Sequence, residues 1–309
     1  MNTDRTVRRV GAGARRAPPD GGGSRRGSGF TLAEMVFAST LSAVMVLVLL
    51  QVFSTHMRAY RSQRLVREAE QNVRTALDTV ARDLRMAGYG LLVPDAELAQ
   101  WISWVPGFSA NPLIVEGATP TAPDTLRLAA AFDAPVATLA NATAGGSTVI
   151  QVASGQGAAF NTTDRSVLCI GRLETVRVAA ISGDRLTVSA EPASSRGLRY
   201  AYPAGTPVER VSVVTYSWRP AAIGFPAYPY LAREDGRFTG TNMWQNMLAG
   251  YIEDFQVARQ GDSFTVRVTG VTRTPDPAKD TGGTGTAYTR VTAATEVAPR
   301  NAAIFRVRY

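Results

Sequence analysis

The chain is poor in the residue types that catalyse. Among 309 residues there is one cysteine, Cys169, and one histidine, His56. A single cysteine excludes an internal disulfide. Its setting, Val167-Leu168-Cys169-Ile170, reads as a packed strand position rather than a reactive thiol. His56 falls at the edge of a long apolar run. No Ser-His-Asp or Cys-His arrangement forms around it without folding the rest of the chain onto a bilayer. There is no CxxC, no HxxxH, no phosphate-binding loop and no dinucleotide fingerprint. Gly282-Gly283-Thr284-Gly285 precedes no helix and reads as a loop tip. The pairs Glu234-Asp235 and Glu253-Asp254 are sequence neighbours, so on strands they point to opposite faces and make poor acid/base partners. Asp276 and Asp280 share a loop without EF-hand spacing. The expectation is a protein that is not an enzyme, with no catalytic residues, no cofactor and no metal.

Charge is also missing where it matters most. From Phe30 to Phe53 the only ionisable residue is Glu34. Those residues rise roughly 36 Å as a helix, enough for a ~30 Å hydrocarbon core. A lone carboxylate at that depth costs ~2.5–3.5 kcal/mol on insertion scales, so it calls for a partner. If the chain were cut after Gly29, the new α-amine of Phe30 would supply one, on the same helix at i, i+4 or on a neighbouring copy. The alternative is a glutamate whose head reaches the lipid headgroups.

The segment before the run is residues 1–29, of which 1–28 are rich in Arg, Gly, Pro and Ser and read as disordered. It holds seven Arg against two Asp, so it accounts for +5 of the net +8. The high isoelectric point is therefore largely a property of this segment and is no nucleic-acid footprint. Arginine on this flank places it in the cytoplasm and the bulk of the chain outside. A secretory signal peptide is disfavoured because the run is too long and no small-x-small cleavage site follows.

No helix breaker intervenes before Gly88. Leu65, Val66, Ala69, Val73, Ala76, Leu77, Val80 and Leu84 recur at threes and fours, which predicts an amphipathic continuation to about residue 87. Arg58, Arg61, Arg64, Arg67, Arg74 and Arg82 lie among or opposite them. Arg82 and Arg85 suit the last turn, and Gly88 suits the C′ position.

Gly29-Phe30-Thr31-Leu32-Ala33-Glu34 opening an apolar helix after a basic leader resembles the class III signal of type IV prepilins and pseudopilins. The resemblance implies that a prepilin peptidase cuts between Gly29 and Phe30 and N-methylates Phe30. It implies that Glu34 neutralises the terminal amine of an adjacent subunit in a filament. Ala33 and Met35 depart mildly from the family's usual residues. The helix end, Ala76-Leu77-Asp78 and Ala81-Arg82-Asp83-Leu84-Arg85-Met86-Ala87-Gly88-Tyr89, resembles PilW-type minor pilins, relatives of pseudopilin J of type II secretion. Tyr230-Leu231-Ala232-Arg233-Glu234, Tyr251-Ile252-Glu253-Asp254-Phe255-Gln256-Val257 and Arg300-Asn301 are similar to that family more weakly.

After Tyr89 the pattern turns to short alternating runs. Strands are expected at 124–131, 148–153, 166–170, 173–181, 185–190, 208–218, 230–238, 255–259, 263–271 and 302–309. The 182–184 and 260–262 stretches are expected as turns. Residues 140–208 read as a small inserted β-module. Trp101 and Trp104 read as core packing more readily than as a partner patch. The aromatic, proline-rich loop 225–230 serves binding and packing equally well.

The expected fold is therefore α+β, a pilin-like lollipop. The domains are a cleaved leader 1–29, a transmembrane half-helix 30–53, an amphipathic half-helix 54–88 and a β-rich domain 89–309. The resemblance implies a minor type IV pilin and, as partners, the prepilin peptidase, other major and minor pilins and the assembly platform. It implies residence in the inner membrane and then at the cell surface. The alternatives are a type II secretion pseudopilin and a signal-anchored periplasmic binding protein or adhesin. A membrane-tethered hydrolase lacks a recognisable site.

Overall fold

A computed structural model describes residues 30–91, 113–116, 122–160, 167–190, 196–221, 228–235, 246–276 and 287–300. The leader with Gly29, both Trp101 and Trp104, loop residues 222–227, the glycine-rich tip 282–285, Asp280 and the expected strand 302–309 lie outside the described residues. The chain divides into two compact units, Met1–Thr55 and His56–Tyr309.

One helix, α1, spans Leu32–Met86. Its N-terminal part is long and apolar enough to cross a membrane, and none of that apolar window is buried against the protein. Burial begins further along. Ala69, Val73, Ala76, Leu77, Val80, Ala81, Asp83 and Leu84 are buried, which is the stripe that the three-and-four spacing predicts, with one acid added. Gly88 ends the helix with φ 78°, a left-handed conformation that a side chain would resist, and its N–H donates to the Ala129 carbonyl at 2.8 Å. The helix terminus is thus tied to a strand.

The second unit holds thirteen described strands: β1 Leu113–Glu116, β2 Thr125–Ala130, β3 Ala137–Thr138, β4 Val149–Gln151, β5 Val167–Ile170, β6 Glu174–Ser182, β7 Arg185–Ser189, β8 Pro207–Arg219, β9 Tyr230–Asp235, β10 Met247–Gly250, β11 Ile252–Gln260, β12 Ser263–Val271 and β13 Arg290–Val297. All described pairings are antiparallel, so the α+β expectation holds. A ten-stranded sheet runs β1-β2-β8-β5-β6-β7-β4, with β3 and the β9–β10 pair attached to β8. A separate sheet runs β11-β12-β13.

Strand β8 is the shared member. Its later residues pair with β2 and β9, and its earlier residues with β5 and β3. Two cores follow from that division. The first joins the buried stripe of α1 to Leu126, Leu128, Val214, Tyr216, Leu231, Ile252, Phe255 and the inward residues of β12. The second lies within residues 137–208, around Ile150, Leu168, Ile170, Val176, Leu186 and Val208.

The helix approaches the smaller sheet closely at Gly270. A Cβ built there would meet Val73 Cγ2 at 2.6 Å, inside van der Waals contact. Val73 is β-branched and buried, so it has little room to give. Gly270→Ala is expected to destabilise the second unit by about 1–3 kcal/mol through overpacking. Thermal unfolding of the full chain in detergent is the measurement, and an unchanged Tm contradicts the close approach.

Strand β13 has no counterpart among the sequence-based expectations. Its burial alternates between exposed and half-buried positions along an edge, with only Val297 fully buried. Arg290-Val291-Thr292-Ala293-Ala294-Thr295-Glu296 therefore lacks the large apolar residues that mark a core strand.

Candidate functional site

The start of α1 is a reciprocal cap. Thr31 precedes the first helical residue, and its hydroxyl accepts the Glu34 N–H at 3.3 Å. Glu34 Oε2 accepts the Thr31 N–H at 2.9 Å and the Thr31 hydroxyl at 3.0 Å. This is the capping box, in which a residue at N3 satisfies the donor that the N-cap leaves open. The geometry explains why Thr and Glu stand three apart at the head of an apolar helix. It leaves Glu34 Oε1 with no hydrogen bond among the described residues. Phe30 lies just outside the helix and is exposed, as are Leu32, Met35 and Phe37.

Of the three residues expected to form the site, Phe30 and Glu34 are thus placed at one helix end. Gly29 lies outside the described residues.

A second polar constellation was not foreseen. Asp83 sits inside the apolar stripe of α1 and is buried. Tyr216 of β8 donates its hydroxyl hydrogen to Asp83 Oδ2 at 2.7 Å. Arg233 of β9 reaches the same oxygen through Nε at 2.9 Å and its terminal nitrogen at 2.8 Å. Tyr216 and Arg233 are direct partners in the β8–β9 register, so the sheet presents both donors side by side. Burial, then the Asp83 carboxylate, push the Tyr216 phenol well above its ordinary value, so it stays a donor. The signal was legible after the fact: residues 76, 80, 83 and 87 share one helical face, and an acid at 83 breaks an otherwise apolar row.

Several other buried polar groups hold the fold together. Cys169 is fully buried, and burial pushes its thiol up to about 11, which keeps it protonated and unreactive. Glu174 accepts from the Arg199 N–H at 2.7 Å and the Tyr202 hydroxyl at 3.0 Å, closing the second core. Asp276 is buried and accepts from the Thr289 hydroxyl at 2.8 Å. His56 is exposed on α1. Among the described residues no group of three or more His, Cys, Asp or Glu side chains could hold a metal ion.

No protein-family model matches the chain, and no curated protein or solved structure matches it significantly.

Proposed function

We propose that the chain is a minor type IV pilin. It is inserted in the inner membrane with its leader in the cytoplasm, cut by a prepilin peptidase between Gly29 and Phe30, methylated on Phe30 and drawn by the assembly platform into a filament with other pilins. The observation that carries this reading is the head of α1. There an apolar helix of membrane-spanning length begins beside a glutamate whose Oε2 is committed to the helix cap and whose Oε1 has no hydrogen bond among the described residues.

The reading assigns each part a physical job. The apolar helix trades lipid for neighbouring helices on assembly. Glu34 Oε1 accepts the methylated amine of an adjacent subunit. Such a pair in an apolar core sets register because leaving either charge alone costs several kcal/mol. The β-rich unit stays outside and meets other minor pilins.

Fractionation tests this. Shearing cells that express the chain is expected to release it with surface filaments, shortened by the leader. Retention in the inner membrane in processed form supports the type II secretion pseudopilin instead. Retention there unprocessed contradicts both readings and favours a signal-anchored binding protein or adhesin.

A further inference from the structure

Directly after the apolar run, α1 carries Arg58, Arg61, Arg64 and Arg67 with no acidic residue until Glu68. All four are exposed, and among the described residues none has an ion pair. This part of the helix is only partly covered: Ser62, Leu65 and Val66 are half-buried, and full burial starts only at Ala69. Tyr60, between the first two arginines, is exposed as well. The helix therefore has an exposed set of charges, all of them basic, as a collar between its apolar part and its packed part.

We infer that this collar, Arg58 to Arg67 with Tyr60, binds the anionic headgroups of the membrane that the apolar run enters. The inference rests on the membrane-spanning part of the proposed function. Arg58 follows Phe53 by about 8 Å of helix rise and Arg61 by about 12 Å. Arginine side chains reach back toward the interface with their guanidinium groups held at headgroup level. Arg64 and Arg67 fall within about one Debye length of that layer, where an anionic surface still attracts them. A tyrosine at this depth is the side chain that membrane interfaces enrich. Spacing by three turns each arginine about 60° from the last, so the four fan over about half of the helix circumference, a spread wide enough for several headgroups.

Charge bookkeeping makes the collar notable. In the proposed orientation these arginines lie on the exported flank, where positive charge opposes the insertion bias set by the leader. Headgroup binding gives them a role that offsets that disadvantage. It holds the subunit upright at the outer surface of the bilayer, and it must be released when the helix leaves for a filament.

The experiment uses the full chain reconstituted in phosphatidylcholine vesicles holding a trace of spin-labelled phosphatidylglycerol or spin-labelled phosphatidylcholine. Electron paramagnetic resonance reads the fraction of label held at the protein. About threefold preference for phosphatidylglycerol is expected. It is expected to fall to near parity in 0.5 M salt, and in the combined variant Arg58→Gln, Arg61→Gln, Arg64→Gln, Arg67→Gln to the lower preference that the leader arginines alone sustain. Equal retention of both labels by the unaltered chain overturns the inference and points to an acidic protein face as the collar's partner. A preference that is undiminished in the variant or in salt overturns it too. Retention of neither label shows that the run is not in the bilayer, which removes the membrane reading and the inference together.

Discussion

Asp83→Ala is expected to loosen the second unit by about 3 kcal/mol. The carboxylate is buried and takes four donor atoms: on Oδ2 one from Tyr216 and two from Arg233, and on Oδ1 a longer contact of 3.4 Å from the largely exposed Arg82. Truncation leaves the buried tyrosine hydroxyl without its acceptor and the guanidinium without its counter-charge. Breaking a buried ion pair by removing one partner costs about 3–5 kcal/mol. The lower end applies here because Arg233 keeps 26% of its side chain exposed and can turn to water.

A double-mutant cycle separates the pair from the packing. Asp83→Leu and Arg233→Met are each expected to destabilise on their own. Combined, they are expected to cost much less than their sum, because no charge is then stranded. Strict additivity contradicts the coupling. Denaturant unfolding of the full chain in detergent measures all four species. The pair also has a structural consequence. It fixes one register of α1 against β8 and β9, since a shift along the helix takes Asp83 away from both donors.

Glu34→Gln is expected to leave membrane insertion intact and to lower incorporation into filaments at least tenfold. Glutamine is the informative replacement because it also serves at N3 of a capping box. Its carbonyl oxygen still accepts both Thr31 donors, so the helix start is preserved. What disappears is the charge. If the carboxylate does no more than cap the helix, glutamine assembles like the native chain. If it receives a methylated amine, the cationic partner is left unpaired in an apolar core, at a cost of several kcal/mol. Glu34→Ala removes cap and charge together, so it is expected to impair assembly at least as much, with some fraying of the first turn. The quantities to compare are the amounts of each variant in sheared filaments and in carbonate-washed membranes.

Legibility in the sequence followed the strength of the local signal. The helix was plain because its apolar run and its three-and-four stripe repeat over many turns, and its end at Gly88 is dictated by backbone geometry. The hairpins β6–β7 and β11–β12 were plain because Gly183 and Gly261, with φ 58° and 62°, sit between alternating runs. Strand β13 was not, since an edge with small and polar residues looks like loop. The capping box is half visible in sequence: Thr31 and Glu34 stand out as part of a signal and as a lone charge, while their mutual hydrogen bonds show only in the folded helix start. The Asp83 triad was missed because its partners lie 133 and 150 residues away in sequence, and only the strand register brings them together. One acid within an apolar stripe was the available clue.

The most direct test of the proposed function is the mass of the mature N-terminus. Intact mass and terminal-fragment spectra of the chain recovered from its native assembly are expected to begin at Phe30 carrying one methyl group on its nitrogen. A chain that still carries Arg25, Arg26 and Gly29 in that assembly has no free amine to meet Glu34, and contradicts the proposal.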